Sequence, residues 1–174
     1  MNRVAPGIRV VPVRTPTVPP ATHTNTYVVG DGAMSVFDPA SPYPEEQALL
    51  LASLQDRIDS GERVERIVLT HHHPDHVGGA TALQQALDVP ILAHPATADL
   101  VPFAVDELWS DQQVVHCGGR RLMGHHTPGH APGHLVFQDQ DSKAMIAGDM
   151  VAGIGTILIS PQDGDLGEYI ASLE

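Results

Sequence analysis

Histidines and aspartates recur along this sequence in a pattern that suits a metal ion. The chain has 174 residues and 11 histidines, and the histidines are clustered. Three are consecutive at residues 71–73, a fourth follows at His76, and four more fall between His125 and His134. Zinc-type ions take neutral imidazoles and carboxylates as ligands at about 2.0–2.2 Å. Clusters of this kind therefore predict a metal site.

The first cluster can serve one ion or two. On an extended segment, alternate side chains point the same way, so His71 and His73 can bind one ion together. Asp75 follows the same alternation. A turn at Pro74 and Asp75 would let His76 swing round to a second ion. The apolar strand before the cluster would hold these ligands rigidly, as a metal site requires.

Two later segments each place another ligand type on a loop after a strand. Thr127-Pro128-Gly129-His130 is a tight, glycine- and proline-punctuated loop with His130 at its apex. Gly148-Asp149 ends the apolar run 144–147. Loops that follow strands are where layered α/β folds carry their functional groups. We expect His130 and Asp149 to join the first cluster.

The elements that must position these residues alternate between strands and helices, which indicates an α/β layered fold. A helix is predicted from Pro44, with Glu45 and Glu46 in its first turn and Gly61 beyond its end. Shorter helices are predicted after the histidine cluster and near Ala96. Residues 104–119 are expected to be irregular, and residues 165–174 begin like a helix. The predicted strands cover residues 8–14, 26–29, 35–38, 64–70, 91–93, 121–126, 134–138 and 144–147.

The order His71-x-His73-x-Asp75-His76, then Thr127-Pro128-Gly129-His130, then Gly148-Asp149 resembles the signature of the metallo-β-lactamase superfamily. The resemblance implies a four-layered αββα sandwich formed by a single domain over residues 1–174. Residues 24–27 and 155–165 resemble the branch that contains the β-lactamase-like protein 2 endoribonucleases. RNA is therefore an expected alternative partner to a small-molecule substrate.

The resemblance also implies a role for each matching residue. His71, His73 and His130 would hold the first ion, Asp75 and His76 the second, and Asp149 would bridge the two. The family's pattern adds one later histidine to the second ion, but no histidine follows Asp149 here. Together with an amphipathic segment that stops at Glu174, this predicts that the domain is incomplete at its carboxyl end.

The chemistry expected of such a site is hydrolysis. A divalent metal lowers the pKa of bound water to about 7 and supplies hydroxide at neutral pH. Asp75 could orient this nucleophile or accept its proton. Ester, thioester, lactam, lactone and phosphodiester bonds are all compatible substrates. The expected cofactor is one or two Zn²⁺ ions, with Mn²⁺ or Fe²⁺ as alternatives.

Two other functions stay open on the sequence alone. A mononuclear iron enzyme resembling a persulfide dioxygenase would need only His71, His73 and His130. A metal-binding but inactive fragment would bind an ion without turnover. Metal analysis separates the first alternative from a hydrolase, and assays on esters and phosphodiesters separate the second.

The composition of the chain bears on nucleic-acid binding, disulfide formation and cellular location. The formal net charge of −12 argues against broad non-specific binding of nucleic acid. Cys117 is the only cysteine, so no internal disulfide can form, and we read it as inert. The amino terminus lacks a signal-peptide pattern and no stretch is long enough to span a membrane. The expected location is therefore cytoplasmic. The sequence fixes neither the substrate nor the oligomeric state.

Overall fold

The computed structural model describes all residues 1–174 as eleven strands and five α-helices. The helices are α1 (Pro44–Asp59), α2 (Pro74–Val77), α3 (Ala80–Leu87), α4 (Pro95–Ala98) and α5 (Leu166–Leu173). The strands are β1 (Asn2–Ala5), β2 (Ile8–Arg14), β3 (His23–Val29), β4 (Ala33–Phe37), β5 (Arg63–Val68), β6 (Ile91–Ala93), β7 (Glu107–Leu108), β8 (Val114–Cys117), β9 (Arg120–His126), β10 (Leu135–Asp139) and β11 (Met145–Ile146).

The strands form two sheets. The seven-stranded sheet runs β1-β2-β3-β4-β5-β6-β7, and its pairings change from antiparallel to parallel at β4. The four-stranded sheet runs β11-β10-β9-β8 and is antiparallel throughout. Because β4 to β7 are parallel, their carboxyl ends meet at one edge of the sheet. That edge carries the histidine cluster after β5.

Two apolar cores hold the layers together. One lies between the sheets, where Phe37 of β4 meets Phe137 of β10 edge to face with ring centroids 5.1 Å apart. The other lies between the seven-stranded sheet and helices α1 and α3, around Leu54, Ile67 and Leu83. A fully buried leucine contributes about 2 kcal/mol through burial alone. The mixed α/β sandwich predicted from the sequence is confirmed.

The helical layer is seen on one side only. Helix α1 begins at Pro44 with two acidic residues in its first turn and buries Leu50 and Leu54. Helix α5 has no buried residue, so it adds no packed fourth layer to the expected αββα arrangement. None of the helices combines the length and apolar character needed to cross a membrane.

One local prediction needs correction. Residues 104–119 are not irregular, because they contain β7 and β8. Strand β7 has only two residues, both exposed, and β8 has four, which is too few for an alternating pattern to be recognised in the sequence. Pro12 lies on β2 between β1 and β3, yet β1 pairs only as far as Val10. At Pro12 the strand is therefore a local edge, which is where proline is tolerated.

Candidate metal centre

The centre begins where β5 leaves the sheet. Leu69 and Thr70 are buried and continue the apolar strand to His71, which is fully buried. His73 then precedes Pro74, which starts α2. Asp75 therefore lies in the first turn of a helix and does not continue the extended alternation that the sequence suggested. Proline at the first helical position favours this early turn.

Four side chains from three segments converge at this point. Donor atoms of His71, His73, His130 and Asp149 all lie within 4.8 Å of one another. His130 Nε2 lies 2.9 Å from His73 Nδ1 and 3.3 Å from His71 Nε2. Asp149 Oδ2 lies 3.4 Å from His130 Nε2. The fold thus brings together residues up to 78 positions apart, as the positions of His71 and Asp149 show.

Two glycines allow this approach. Gly129 has a φ of +123°, and a Cβ there would lie 2.1 Å from the Tyr169 nitrogen. Gly148 has a φ of +50°, and a Cβ there would lie 2.5 Å from His134 Nε2. That same nitrogen accepts a hydrogen bond from the backbone N–H of Asp149 at 3.1 Å. Larger residues at either glycine would displace the chain segments that carry His130 and Asp149.

A buried hydrogen-bond network holds Nδ1 of His71, the outer ring nitrogen that faces away from the metal centre. Asp38 is 2% exposed and accepts hydrogen bonds from both the backbone N–H and the hydroxyl of Thr70, each at 2.7 Å. Since that hydroxyl donates to Asp38, it must accept the bond from His71 Nδ1 at 2.9 Å. The proton of His71 is thereby placed on Nδ1, and its Nε2 keeps a free lone pair towards the centre.

The segment of residues 151–165, here called the strap, holds the other two histidines in the same way. His130 Nδ1 donates to the carbonyl oxygen of Leu158 at 2.9 Å. His73 Nε2 lies 3.0 Å from Asp163 Oδ2, and the carboxylate accepts a hydrogen bond from this nitrogen. Carbonyl and carboxylate oxygens only accept. In the neutral form of each ring, this leaves the inner nitrogens, His130 Nε2 and His73 Nδ1, without a proton.

A cation fits this donor set. Three lone pairs and a carboxylate face one another at 2.9 to 3.4 Å, and this arrangement is repulsive unless a positive charge lies between them. Burial lowers the pKa of His71 well below its ordinary value, and the charge of His76 lowers it further. Burial also lowers the pKa of His130. Neutral imidazoles with fixed tautomers are what a divalent ion requires.

His76 is held differently. Its Nδ1 donates to Asp38 Oδ2 at 2.8 Å, and its Nε2 lies 3.1 Å from Asp149 Oδ1. Burial would lower the pKa of His76, but the two carboxylates raise it to about 10. Burial would raise the pKa of Asp149, but the hydrogen bond from His76 lowers it to about 2. Without a metal ion, His76 and Asp149 form an ion pair.

The predicted site residues thus fall into two groups. His71, His73, His130 and Asp149 are brought together, and His76 joins them through Asp149. Asp75 is half-buried, but its carboxylate takes part in none of the ion pairs or hydrogen bonds of the centre. The assignment of Asp75 and His76 to a second ion stays a prediction.

Sequence reasoning missed Asp163. It lies 90 positions from His73 and also contacts His72, whose Nε2 is 3.0 Å from the same carboxylate oxygen. Only the run Pro161-x-Asp163-Gly164-Asp165 marked this region, without assigning it a role. His134 is fully buried and bonds Thr127 through Nδ1 and the Asp149 backbone through Nε2. It contacts the backbone of the centre but is not one of the four converging residues.

The two sheets and the histidine–aspartate centre define a layered α/β metalloprotein. A family model described as "Metallo-beta-lactamase superfamily" matches residues 19–174. The chain therefore belongs to the metallo-β-lactamase superfamily, and this membership confirms the resemblance drawn from the motifs.

Curated relatives with named activities share this region. An atrochrysone carboxyl ACP thioesterase of Aspergillus terreus is 33% identical over 154 residues, covering 86% of this chain and 44% of the thioesterase. A hydroxyacylglutathione hydrolase of Bdellovibrio bacteriovorus is 36% identical over 89 residues, covering 51% of this chain and 35% of that enzyme. The chain thus spans less than half of the length of these relatives. Neither of these names mentions RNA, so the RNA partner stays a prediction.

Solved structures show the same fold. A β-lactamase domain protein from Burkholderia ambifaria superposes with a TM-score of 0.84, covering 99% of this chain and 62% of the other at 22% identity. A protein solved in a di-iron-bound form superposes with a TM-score of 0.70, covering 94% of this chain and 84% of the other at 29% identity.

Proposed function

We propose that this chain is a zinc-dependent hydrolase that acts on acyl thioesters. The observation that carries the proposal is the donor set, in which three imidazoles with hydrogen-bonded outer nitrogens and one carboxylate face a common point. Zinc prefers this combination of nitrogen and carboxylate ligands. No cysteine lies in the centre, so a thiolate zinc site is not in question.

The proposed roles are those that the family's motif implies, and the convergence of His71, His73, His130 and Asp149 supports them. His71, His73 and His130 would hold the first ion, His76 and Asp75 the second, and Asp149 would bridge both. A bound divalent ion supplies a Lewis acid and lowers the pKa of its water to about 7. Asp149, with its pKa near 2, stays ionised at neutral pH.

Asp75 is the proposed catalytic residue. Its carboxylate is half-buried on the first turn of α2 and is not engaged by any other side chain of the centre. It is therefore available to orient the attacking water or to accept its proton. Asp38, by contrast, is saturated by Thr70 and His76 and can only position them.

The choice of thioesters rests on the relatives. The names "ACP thioesterase" and "hydroxyacylglutathione hydrolase" both denote release of an acyl group from a carrier. The formal charge of −12 gives the surface no general attraction for RNA, which makes a phosphodiester the weaker choice. These observations support a thioester among the bonds that the centre could hydrolyse.

The test compares stripped and reloaded protein on a simple acyl thioester of N-acetylcysteamine, with the released thiol measured by a dye. We expect thiol release after zinc loading and none with a chelator. The variant His73→Ala is the matched control and should show none under either condition. Zinc binding with no turnover above His73→Ala on this thioester or on an activated ester would contradict the proposal. A single bound iron with sulfite formation from a persulfide would replace it with the dioxygenase.

A further inference from the structure

The strap reaches the metal centre through one carboxylate that no family motif in this sequence assigned. Asp163 Oδ2 lies 3.0 Å from His73 Nε2, in hydrogen-bonding geometry. The carboxylate is only partly buried, with 21% of its side chain exposed. It lies on the opposite side of the imidazole from His130, whose Nε2 is 2.9 Å from His73 Nδ1.

The geometry of His73 makes this contact decisive for the state of its inner nitrogen. A neutral imidazole carries one proton, and a proton on Nε2 leaves Nδ1 bare. Nδ1 is the atom that faces His71 and His130. The other tautomer would aim an N–H at the centre and would exclude a cation. A carboxylate is a stronger acceptor than water or a carbonyl, so it favours the tautomer with the proton on Nε2.

We propose that Asp163 is a positioning residue that fixes His73 in the Nε2-protonated tautomer and thereby readies Nδ1 to bind the metal ion. The inference rests on the metal site of the proposed function. It assigns to the strap a role in metal affinity, through a side chain that itself binds no metal. The strap supports two of the three imidazoles, since Leu158 holds His130 in the same way.

Other contacts of Asp163 are compatible with this role. His72 Nε2 lies 3.0 Å from the same oxygen, while its Nδ1 is buried without a partner. The His72 ring packs beside His73, with ring centroids 4.6 Å apart.

The test measures zinc affinity by chelator competition for wild type, Asp163→Ala, Asp163→Asn and Asp165→Asn. Loss of an outer partner of a metal-binding histidine typically costs about 10–100-fold in affinity, and we expect this for Asp163→Ala. Asp163→Asn keeps an acceptor but loses the charge, so its loss should be smaller. Asp165→Asn is the control for charge and location. Asp165 contacts no histidine and caps α5 through the Glu168 N–H, which asparagine also does well. Its affinity should match wild type.

A spectroscopic readout separates positioning from simple support of the strap. Ring ¹⁵N shifts in the metal-free chain should report a protonated Nε2 on His73 in wild type and a mixture of tautomers in Asp163→Ala. His130 Nδ1 serves as the internal reference, because Leu158 holds that nitrogen and the substitution should leave it protonated, whereas His130 Nε2 faces His73 Nδ1 and should respond to its tautomer.

Equal zinc affinity and equal His73 shifts in wild type and Asp163→Ala would overturn the proposal. Loss of the proton from His130 Nδ1 in Asp163→Ala would also overturn it, because the contact with Leu158 would then be broken and the strap would have come away as a whole. Failure of wild type to bind zinc would instead count against the proposed function. The ¹⁵N shifts of the metal-free chain would still decide the role of Asp163.

Discussion

The histidines of the metal centre are held by hydrogen bonds on two sides, from a buried network on one side and from an exposed segment on the other. On one side, Asp38 and Thr70 hold His71 and His76 from within the folded core, and Asp38 is 2% exposed. On the other side, the strap holds His73 and His130 through Asp163 and the backbone of Leu158, with 60% of the Leu158 residue exposed. An outer hydrogen bond that fixes a ligand tautomer can therefore be part of the core or part of a peripheral segment.

This difference predicts that folding stability and metal affinity depend on different sides of the centre. Segments with few buried contacts open at lower free energy than core elements do. The strap and α5 expose several large apolar side chains, whereas the Asp38 network lies beside two packed sheets. We therefore expect changes on the buried side to destabilise the fold, and changes on the strap side to weaken metal binding with little effect on folding.

The largest effect is expected for Asp38→Ala. The substitution leaves the Thr70 N–H, the Thr70 hydroxyl and His76 Nδ1 without their acceptor inside the protein. Each buried group left unsatisfied costs about 1–3 kcal/mol, so the free energy of unfolding should fall by at least about 3 kcal/mol. Urea unfolding of the metal-free chain measures this. Asp163→Ala should lose less than about 1 kcal/mol in the same experiment, and equal losses would break the comparison.

A ligand substitution should have the opposite profile. His73→Ala removes one of the four converging donors but no buried hydrogen-bond network, because its ring is partly exposed. We expect most bound zinc to be lost while the urea midpoint of the metal-free chain stays close to wild type. Elemental analysis after gel filtration gives the metal content. Unchanged zinc in this variant would show that the ion lies elsewhere.

Asp149→Asn should act on the second ion more than on the first. The side chain keeps its shape but loses the charge that pairs with His76 at 3.1 Å. A charged hydrogen bond is worth about 1.5–3 kcal/mol, so the second equivalent of zinc should weaken by roughly tenfold or more. Calorimetric titration resolves the two equivalents where both bind. Unchanged affinity for the second would count against a bridging carboxylate.

The smallest expected effect is on the labelling rate of the Cys117 thiol, which reports opening of the buried side. The thiol lies in the core between the sheets, and burial raises its pKa to about 11. A thiol reagent at pH 8 should therefore leave the folded chain almost unlabelled and react fully in denaturant. Asp163→Ala should label as slowly as wild type, and Asp38→Ala faster. Fast labelling of Asp163→Ala would show that the two sides open together.

Much of this arrangement could be predicted from local patterns. Adjacent residues in the sequence indicate the candidate ligands, their order and the strand before His71. The two glycine-containing loops predict His130 and Asp149. Helix α1 was visible because proline, acidic residues and glycine mark its ends. The fold and the site roles implied by the family resemblance depend on the same local motifs.

What could not be predicted depends on long-range packing or on very short elements. The contact between Asp163 and His73 joins segments 90 positions apart, and nothing near either residue encodes it. Asp75 was placed on an extended segment because the alternation looked continuous, whereas Pro74 starts a helical turn there. Strands β7 and β8 have two and four residues, and such short strands carry too little pattern for the sequence to indicate them.

The claim that His71, His73 and His130 bind one ion is tested most directly by anomalous diffraction at the zinc edge from crystals of the zinc-loaded chain. We expect the strongest peak between His71 Nε2, His73 Nδ1 and His130 Nε2, at about 2.0–2.1 Å from each nitrogen. A strongest peak on other histidines, such as the stacked pair His94 and His126, or no peak at all, would contradict the account.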